Sequence, residues 1–115
     1  ANGAHLSNTG TWDVLSSAGL KENLVPLNPS EAQAAFQDLQ PVVYNYKINK
    51  KEQHAGFIAE DVPDLVASQD RKGLSPMDLI AVLTAVVKDQ QDEIEQQDKI
   101  LAEMTADVEA LKNKF

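Results

Sequence analysis

A serine hydroxyl and a lysine amine lie five residues apart near the start of the chain, in the segment Ser16-Ser17-Ala18-Gly19-Leu20-Lys21. A serine hydroxyl is a poor nucleophile until a base takes its proton, and a neutral lysine amine is such a base. Gly19 would let the chain fold back so that the two side chains meet. By spacing alone, a turn serine beside a solvated lysine is the commoner explanation, because such pairs are frequent on protein surfaces.

Other patterns for catalysis or ligand binding are weak. The two histidines, His5 and His54, are far apart in the sequence and the chain has no cysteine, so we expect no metal and no cofactor. The net charge of −8 makes nucleic acid and anionic membranes poor partners. No apolar run approaches the ~20 residues of a membrane span. We therefore expect no nucleic-acid partner and no membrane partner.

The last third of the chain carries a heptad repeat. A stripe of mostly apolar residues recurs at alternating steps of 3 and 4 residues, at Ile80, Leu83, Val87, Gln90, Ile94, Gln97, Leu101, Met104, Val108, Leu111 and Phe115. A strict seven-residue period keeps such a stripe buried only against partner helices in a left-handed supercoil. The chain offers no second long helix to cover it, so the repeat predicts a parallel bundle of identical chains.

The number of chains in the bundle follows less directly from the repeat. With Ile80 at position a, position d holds leucine twice, glutamine twice and methionine once, whereas a dimer favours leucine at d. Gln90 and Gln97 would lower stability and set the register, and two such layers can close hydrogen bonds around an axis. These layers favour a homotrimer, although the heptads alone also allow a dimer.

These patterns together predict an α+β fold, with a small strand-and-helix globular part followed by a long C-terminal helix that forms a parallel trimeric coiled coil. Ser75 as N-cap, Pro76 and Asp78 predict the start of that helix. A shorter helix is predicted to begin with Ser30 as its N-cap. Strands are predicted over 11–15, 41–48 and 54–59, with a charged turn over 49–53.

We expect the chain to be the C-terminal part of a longer polypeptide. The predicted segments are the end of an upstream stalk or fibre over residues 1–15, a globular part over residues 16–76, and the coiled-coil helix over residues 77–115.

Four sequence blocks follow one another in an informative order: Ser16 to Asn23, Leu39 to Lys47, His54 to Pro63, and Gly73 to Asp78 at the start of the long helix. This order resembles the C-terminal intramolecular chaperone domain of phage tail spikes, endosialidases and bacterial fibre-like proteins. The resemblance covers about residues 12–115, and its most specific part is Gly56-Phe57-Ile58-Ala59-Glu60.

The resemblance implies a domain that trimerises and aligns a fibre-like parent chain, so that its partners are its own copies and the upstream part of that chain. It implies a self-cleaving serine peptidase acting once, with Ser16 as nucleophile, Lys21 as base and a cut at Leu15–Ser16. It places the protein in a virion tail or a cell-surface fibre precursor. The family's aspartate after the nucleophile is Ser17 here, which leaves a slowly cleaving or non-cleaving trimerisation domain open, as well as a coiled-coil adaptor.

Overall fold

The computed structural model describes residues 4–115; residues 1–3 of the predicted upstream segment lie outside the described residues. Short strands alternate with two helices and two 3-10 turns. In chain order these are β1 (His5–Leu6), β2 (Trp12–Asp13), a first 3-10 turn (Ala18–Leu20), α1 (Pro29–Asp38), β3 (Val42–Tyr46), β4 (Asn49–Gly56), a second 3-10 turn (Ala59–Asp61) and α2 (Pro76–Lys112). Small antiparallel sheets and a long C-terminal helix confirm the predicted α+β class.

The first hairpin pairs β1 with β2 in antiparallel register, with Leu6 opposite Trp12. Its turn is closed by the Ser7 hydroxyl, which accepts from the Thr11 amide at 3.0 Å. Gly10 has a φ of 80° in this turn, a conformation that favours glycine. The sequence predicted one strand here, and the structure adds a partner for it.

The second hairpin pairs β3 with β4, with Tyr44 opposite His54. The chain turns immediately after Tyr46 and re-enters a strand at Asn49, so the predicted charged turn over 49–53 is wrong. A two-stranded ribbon leaves much of its surface in water, and charged side chains are therefore tolerated on β4. The Tyr44 ring lies over Gly56, where a Cβ atom would stand only 3.1 Å from the ring.

Both helices begin with a side-chain cap. Asn28 caps α1, since its Oδ1 accepts from the Ser30 amide at 2.8 Å, and Pro29 occupies the first turn. The prediction of Ser30 as the cap is therefore wrong by two residues, because asparagine caps as well as serine and proline suits the first helical position. The predicted start of α2 is confirmed, with the Ser75 hydroxyl accepting from the Asp78 amide at 3.3 Å.

The core lies between α1 and the first turns of α2. Among residues 4–115, the buried apolar side chains are two alanines and four valines: Ala32, Ala35, Val62, Val66, Val82 and Val86. The alanines of α1 allow its backbone to approach α2 closely, and Leu27, Leu39, Phe57, Leu74 and Leu79 surround the cluster. This core is small for a chain of this length.

The remainder of α2 extends away from the core. Every residue from Gln90 to Phe115 is exposed. The Cα radius of gyration is 21.6 Å, against about 13 Å for a compact globule of this length. Within residues 4–115, the helices are too short or too polar to span a membrane.

Candidate functional site

The structure places the two predicted dyad side chains in direct contact. The Nζ atom of Lys21 lies 2.6 Å from the Oγ atom of Ser16, within hydrogen-bond distance. As a protonated amine Lys21 donates to the serine oxygen; once neutral, it would accept the serine proton along the same line. The contact therefore has the distance that a nucleophile and its base require.

The first 3-10 turn produces this contact. The Leu20 amide donates to the Ser17 carbonyl at 3.0 Å, and the Lys21 amide donates to the Ala18 carbonyl at 3.1 Å. Gly19 does not adopt a positive φ, so the chain folds back through a right-handed turn and does not use the left-handed conformation open to glycine. Lys21 then leaves the turn in an extended conformation, with φ −123° and ψ 155°.

The two adjacent serines have different contacts. The Ser16 hydroxyl binds the lysine amine, whereas the Ser17 hydroxyl accepts from the Gly19 amide at 3.4 Å and caps the turn. Sequence spacing alone does not distinguish the two, because a lysine four or five residues on can reach either one. The local signal that was missed is that serine is a preferred N-cap residue directly before a turn.

The dyad is open to solvent in the single chain. Ser16 and Lys21 are both exposed. The neighbouring apolar side chains are also uncovered, with Leu15 51% and Leu20 65% exposed, and the same holds for Leu6, Trp12, Val14, Leu24 and Val25. A lysine amine becomes neutral most readily where water is excluded. Water therefore reaches the dyad in the single chain.

The heptad stripe forms the second feature of interest. Its large apolar members are all exposed in the single chain: Ile80, Leu83, Val87, Ile94, Leu101, Met104, Val108, Leu111 and Phe115. Gln90 and Gln97 lie on the same stripe and are also exposed. Near the start of α2 the stripe borders a shallow apolar groove of about 330 Å³ lined by Ile80, Leu83, Thr84, Val87 and Lys88.

Neither histidine joins the dyad in the described contacts. His54 stacks on Tyr44 with ring centroids 5.7 Å apart and contacts the Tyr46 ring at 5.4 Å. The Tyr44 and Tyr46 hydroxyls lie 3.2 Å apart, and this hydrogen bond raises the pKa of Tyr44. His5 lies 3.9 Å from Asp13 across the first hairpin. Over residues 4–115, no group of three or more histidines, cysteines or acidic residues is arranged to hold a metal ion.

A comparison with known families shows which family the globular part of the chain matches. Residues 16–70 match the family model described as chaperone of endosialidase. These residues belong to that family. The predicted recognition of the intramolecular chaperone domain is thereby confirmed, and the match supports an intramolecular chaperone role in which the domain acts on its own parent chain.

The match begins at Ser16, includes the whole Ser16–Lys21 turn and ends before α2 begins. No curated protein and no solved structure matches the chain. The roles of the individual dyad residues and of the stripe therefore rest on the geometry above.

Proposed function

We propose that the chain is a C-terminal intramolecular chaperone that assembles as a parallel homotrimer through α2 and aligns a spike-like or fibre-like parent chain. The observation that carries this proposal is the heptad stripe, which remains exposed along the whole of α2 while the chain's own core uses other positions of the same helix. In a bundle the stripe would be buried at the axis, and the transfer of each large apolar side chain out of water would contribute roughly 1.5 to 3 kcal/mol.

Three copies also suit the composition of the stripe. Gln90 and Gln97 occupy successive d layers, where two leucines would favour a dimer. The extended shape and the small core favour assembly of the chain, since burial of the stripe would add to the little apolar surface that the single chain buries. A coiled-coil adaptor for an unrelated partner is less favoured, since the family match lies in the globular part.

Assembly can be tested directly. Sedimentation equilibrium of the whole chain should give the mass of three copies, and truncation after Val87 should give a poorly folded monomer. A stable monomer at micromolar concentration would contradict the chaperone proposal, and a stable dimer would contradict the assignment of three copies.

We further propose that Ser16 and Lys21 can cut the Leu15–Ser16 bond. In the first step neutral Lys21 takes the Ser16 hydroxyl proton while Oγ attacks the Leu15 carbonyl carbon. The C–N bond then breaks and its nitrogen receives a proton, which leaves the Leu15 acyl group as an ester on Oγ and a free α-amine on Ser16. Water hydrolyses the ester to a Leu15 carboxylate and restores the hydroxyl. The 2.6 Å contact supports the first proton transfer.

The exposure of the dyad predicts that cleavage depends on assembly. Since Ser16 and Lys21 are both exposed in the single chain, copies or the upstream stalk would have to cover them before water is excluded from the dyad. We therefore expect the isolated domain to cut itself slowly or not at all. The alternative, a trimerisation domain that never cleaves, retains the same stripe and the same partners.

Mass spectrometry after long incubation tests the cut. Any product should end at Leu15 or begin at Ser16, and it should disappear in Ser16→Ala and in Lys21→Ala while both variants keep the mass of the assembled wild type. A cut at another bond, or one that survives Ser16→Ala, would exclude the dyad and favour the non-cleaving alternative.

A further inference from the structure

We propose that Ser17 is a positioning residue for the Ser16–Lys21 pair: its hydroxyl caps the turn that carries the lysine amine onto the Ser16 hydroxyl. This inference rests on the proposed self-cleavage, because positioning the pair serves catalysis only if the bond is cut. The geometry that it concerns can nevertheless be measured whether or not the bond is cut.

Ser17 holds the turn through both its side chain and its backbone. Its Oγ accepts from the Gly19 amide at 3.4 Å, and its carbonyl accepts from the Leu20 amide at 3.0 Å. Its own backbone is extended, with φ −65° and ψ 144°, as an N-cap residue requires. The side-chain bond is long, but it satisfies an amide that a three-residue turn leaves without an intrahelical partner.

The position of the lysine follows from that turn. After Leu20 the Lys21 amide is bound to the Ala18 carbonyl at 3.1 Å, which fixes where the lysine side chain starts. From there Nζ reaches back to Ser16, one residue before the cap. A turn this short has only a few hydrogen bonds, so loss of one of them opens it in a sizeable fraction of molecules, and the amine then leaves the hydroxyl.

The same reasoning explains the residue type at this position. The resembling family has aspartate where this chain has Ser17, and aspartate and serine are both preferred caps. The exchange therefore keeps the capping acceptor.

A matched set of variants of the whole chain separates capping from charge. Ser17→Ala removes the acceptor, Ser17→Asn restores an uncharged cap, and Ser17→Asp restores a charged one. Gly19→Ala is the control for a change within the turn, because an added Cβ would meet the Ser17 Oγ at 3.8 Å, an ordinary contact.

Nuclear magnetic resonance gives a readout that does not require cleavage. In Ser17→Ala we expect exchange of the Gly19 amide proton to become about fivefold faster, and the Overhauser effect between Ser16 Hβ and Lys21 Hε to weaken. Both should return to wild-type values in Ser17→Asn, and the Overhauser effect should be unchanged in Gly19→Ala. If Ser17→Ala retains the wild-type exchange rate and Overhauser effect, Ser17 does not position the pair and the proposal fails.

Cleavage measured on the same variants keeps the two proposals apart. Ser17→Ala should cut about fivefold more slowly than wild type, and Ser17→Asn and Ser17→Asp should both recover the rate, because both restore a capping acceptor. A wild type that never cuts, together with a weakened contact in Ser17→Ala, would refute self-cleavage and support the positioning role. Wild-type cleavage that Ser17→Ala leaves unchanged would refute the positioning role alone.

Discussion

The two halves of α2 differ in what surrounds them. From Pro76 to Asp89 the helix packs against α1, with Val82 1% exposed and the Gln33 amide 3.4 Å from the Asp89 carboxylate. From Gln90 onward every residue is exposed. One continuous helix is therefore folded against its own chain at one end and is uncovered at the other.

The two halves nevertheless share the same heptad stripe. In the first half the chain's own core takes Leu79, Val82 and Val86, which lie at positions g and c, while Ile80, Leu83 and Val87 stay exposed at a and d. The helix thus presents one face to its own globular part and another to partners, and the second face continues without interruption into the free half. Changes on the two faces should therefore have separable effects.

The largest effect is expected from a charge in the free half of the stripe. Leu101→Asp would place a carboxylate in every copy at one layer of the bundle, and each buried, unpaired charge costs several kcal/mol. We expect sedimentation equilibrium to give the mass of a single chain. Ala102→Asp, one residue on and outside the stripe, is the matched control and should keep the assembled mass. Equal masses for the two variants would mean that the stripe is not the interface.

A core change in the first half should behave differently. Val82→Ala removes buried methyl groups next to Ala35, Val62 and Val66, and we expect each chain to lose roughly 2 kcal/mol of stability. The dissociation constant of the Val82→Ala assembly should stay close to that of the wild type. Val108→Ala, on the stripe, should instead weaken association. Urea titration together with sedimentation distinguishes them. If both variants shift the dissociation constant equally, the two faces are not separate.

The glutamine layers allow a finer test of the free half. Replacing Gln90 and Gln97 together by isoleucine should raise the melting temperature, because a polar layer in the core of a coiled coil lowers its stability. The same change should broaden the distribution of oligomer sizes. Calorimetry and light scattering measure the two outcomes. If the double variant is less stable than the wild type, the two glutamines stabilise the bundle as well as set its register, and the prediction is wrong.

The smallest effect is expected in the loop before α2. The Asp70 carboxylate accepts from the Ser68 hydroxyl at 2.7 Å and from the Lys72 amide at 3.0 Å, and these bonds lower the pKa of Asp70 below its ordinary 3.8. A carboxyl whose pKa is lower in the folded state stabilises the fold above its unfolded pKa, and this stabilisation is lost as the pH falls through the folded value.

Asp70→Asn should therefore lower the urea midpoint slightly at neutral pH. The difference from wild type should vanish in acid, and the assembled mass should be unchanged. A difference that persists at low pH would show that the carboxylate charge is not its cause.

Much of this architecture could be predicted from local signals. The cap and proline at the start of α2 determine where it begins, and the period of the stripe identifies the face that its own chain leaves uncovered. The close spacing of Ser16 and Lys21 made contact plausible, and the resemblance distinguished that pair from ordinary surface residues.

Other features depend on tertiary context. Val82 and Val86 have helical spacing, but on an apolar helix with a heptad stripe nothing in the sequence says which valines face their own chain. The segment from Asn49 to Gln53 is charged like a loop, yet it belongs to β4, where the register with β3 shifts between the Tyr46–Asn49 and Tyr44–His54 pairs. The predicted N-cap of α1 was wrong by two residues because Asn28 and Ser30 are both good caps. Only the structure shows that Asn28 is the one used.

Because the second half of α2 is uncovered in the single chain, the circular dichroism spectrum of the protein should depend on its concentration. The stretch from Gln90 to Lys112 is about 34 Å long at the helical rise, and in proteins most of the stability of a helix comes from packing of its apolar face. Its backbone order therefore depends on partner copies, whereas the first half is held by α1. On dilution, helical ellipticity should fall as the copies separate, so circular dichroism reports the fraction of assembled chains without any label.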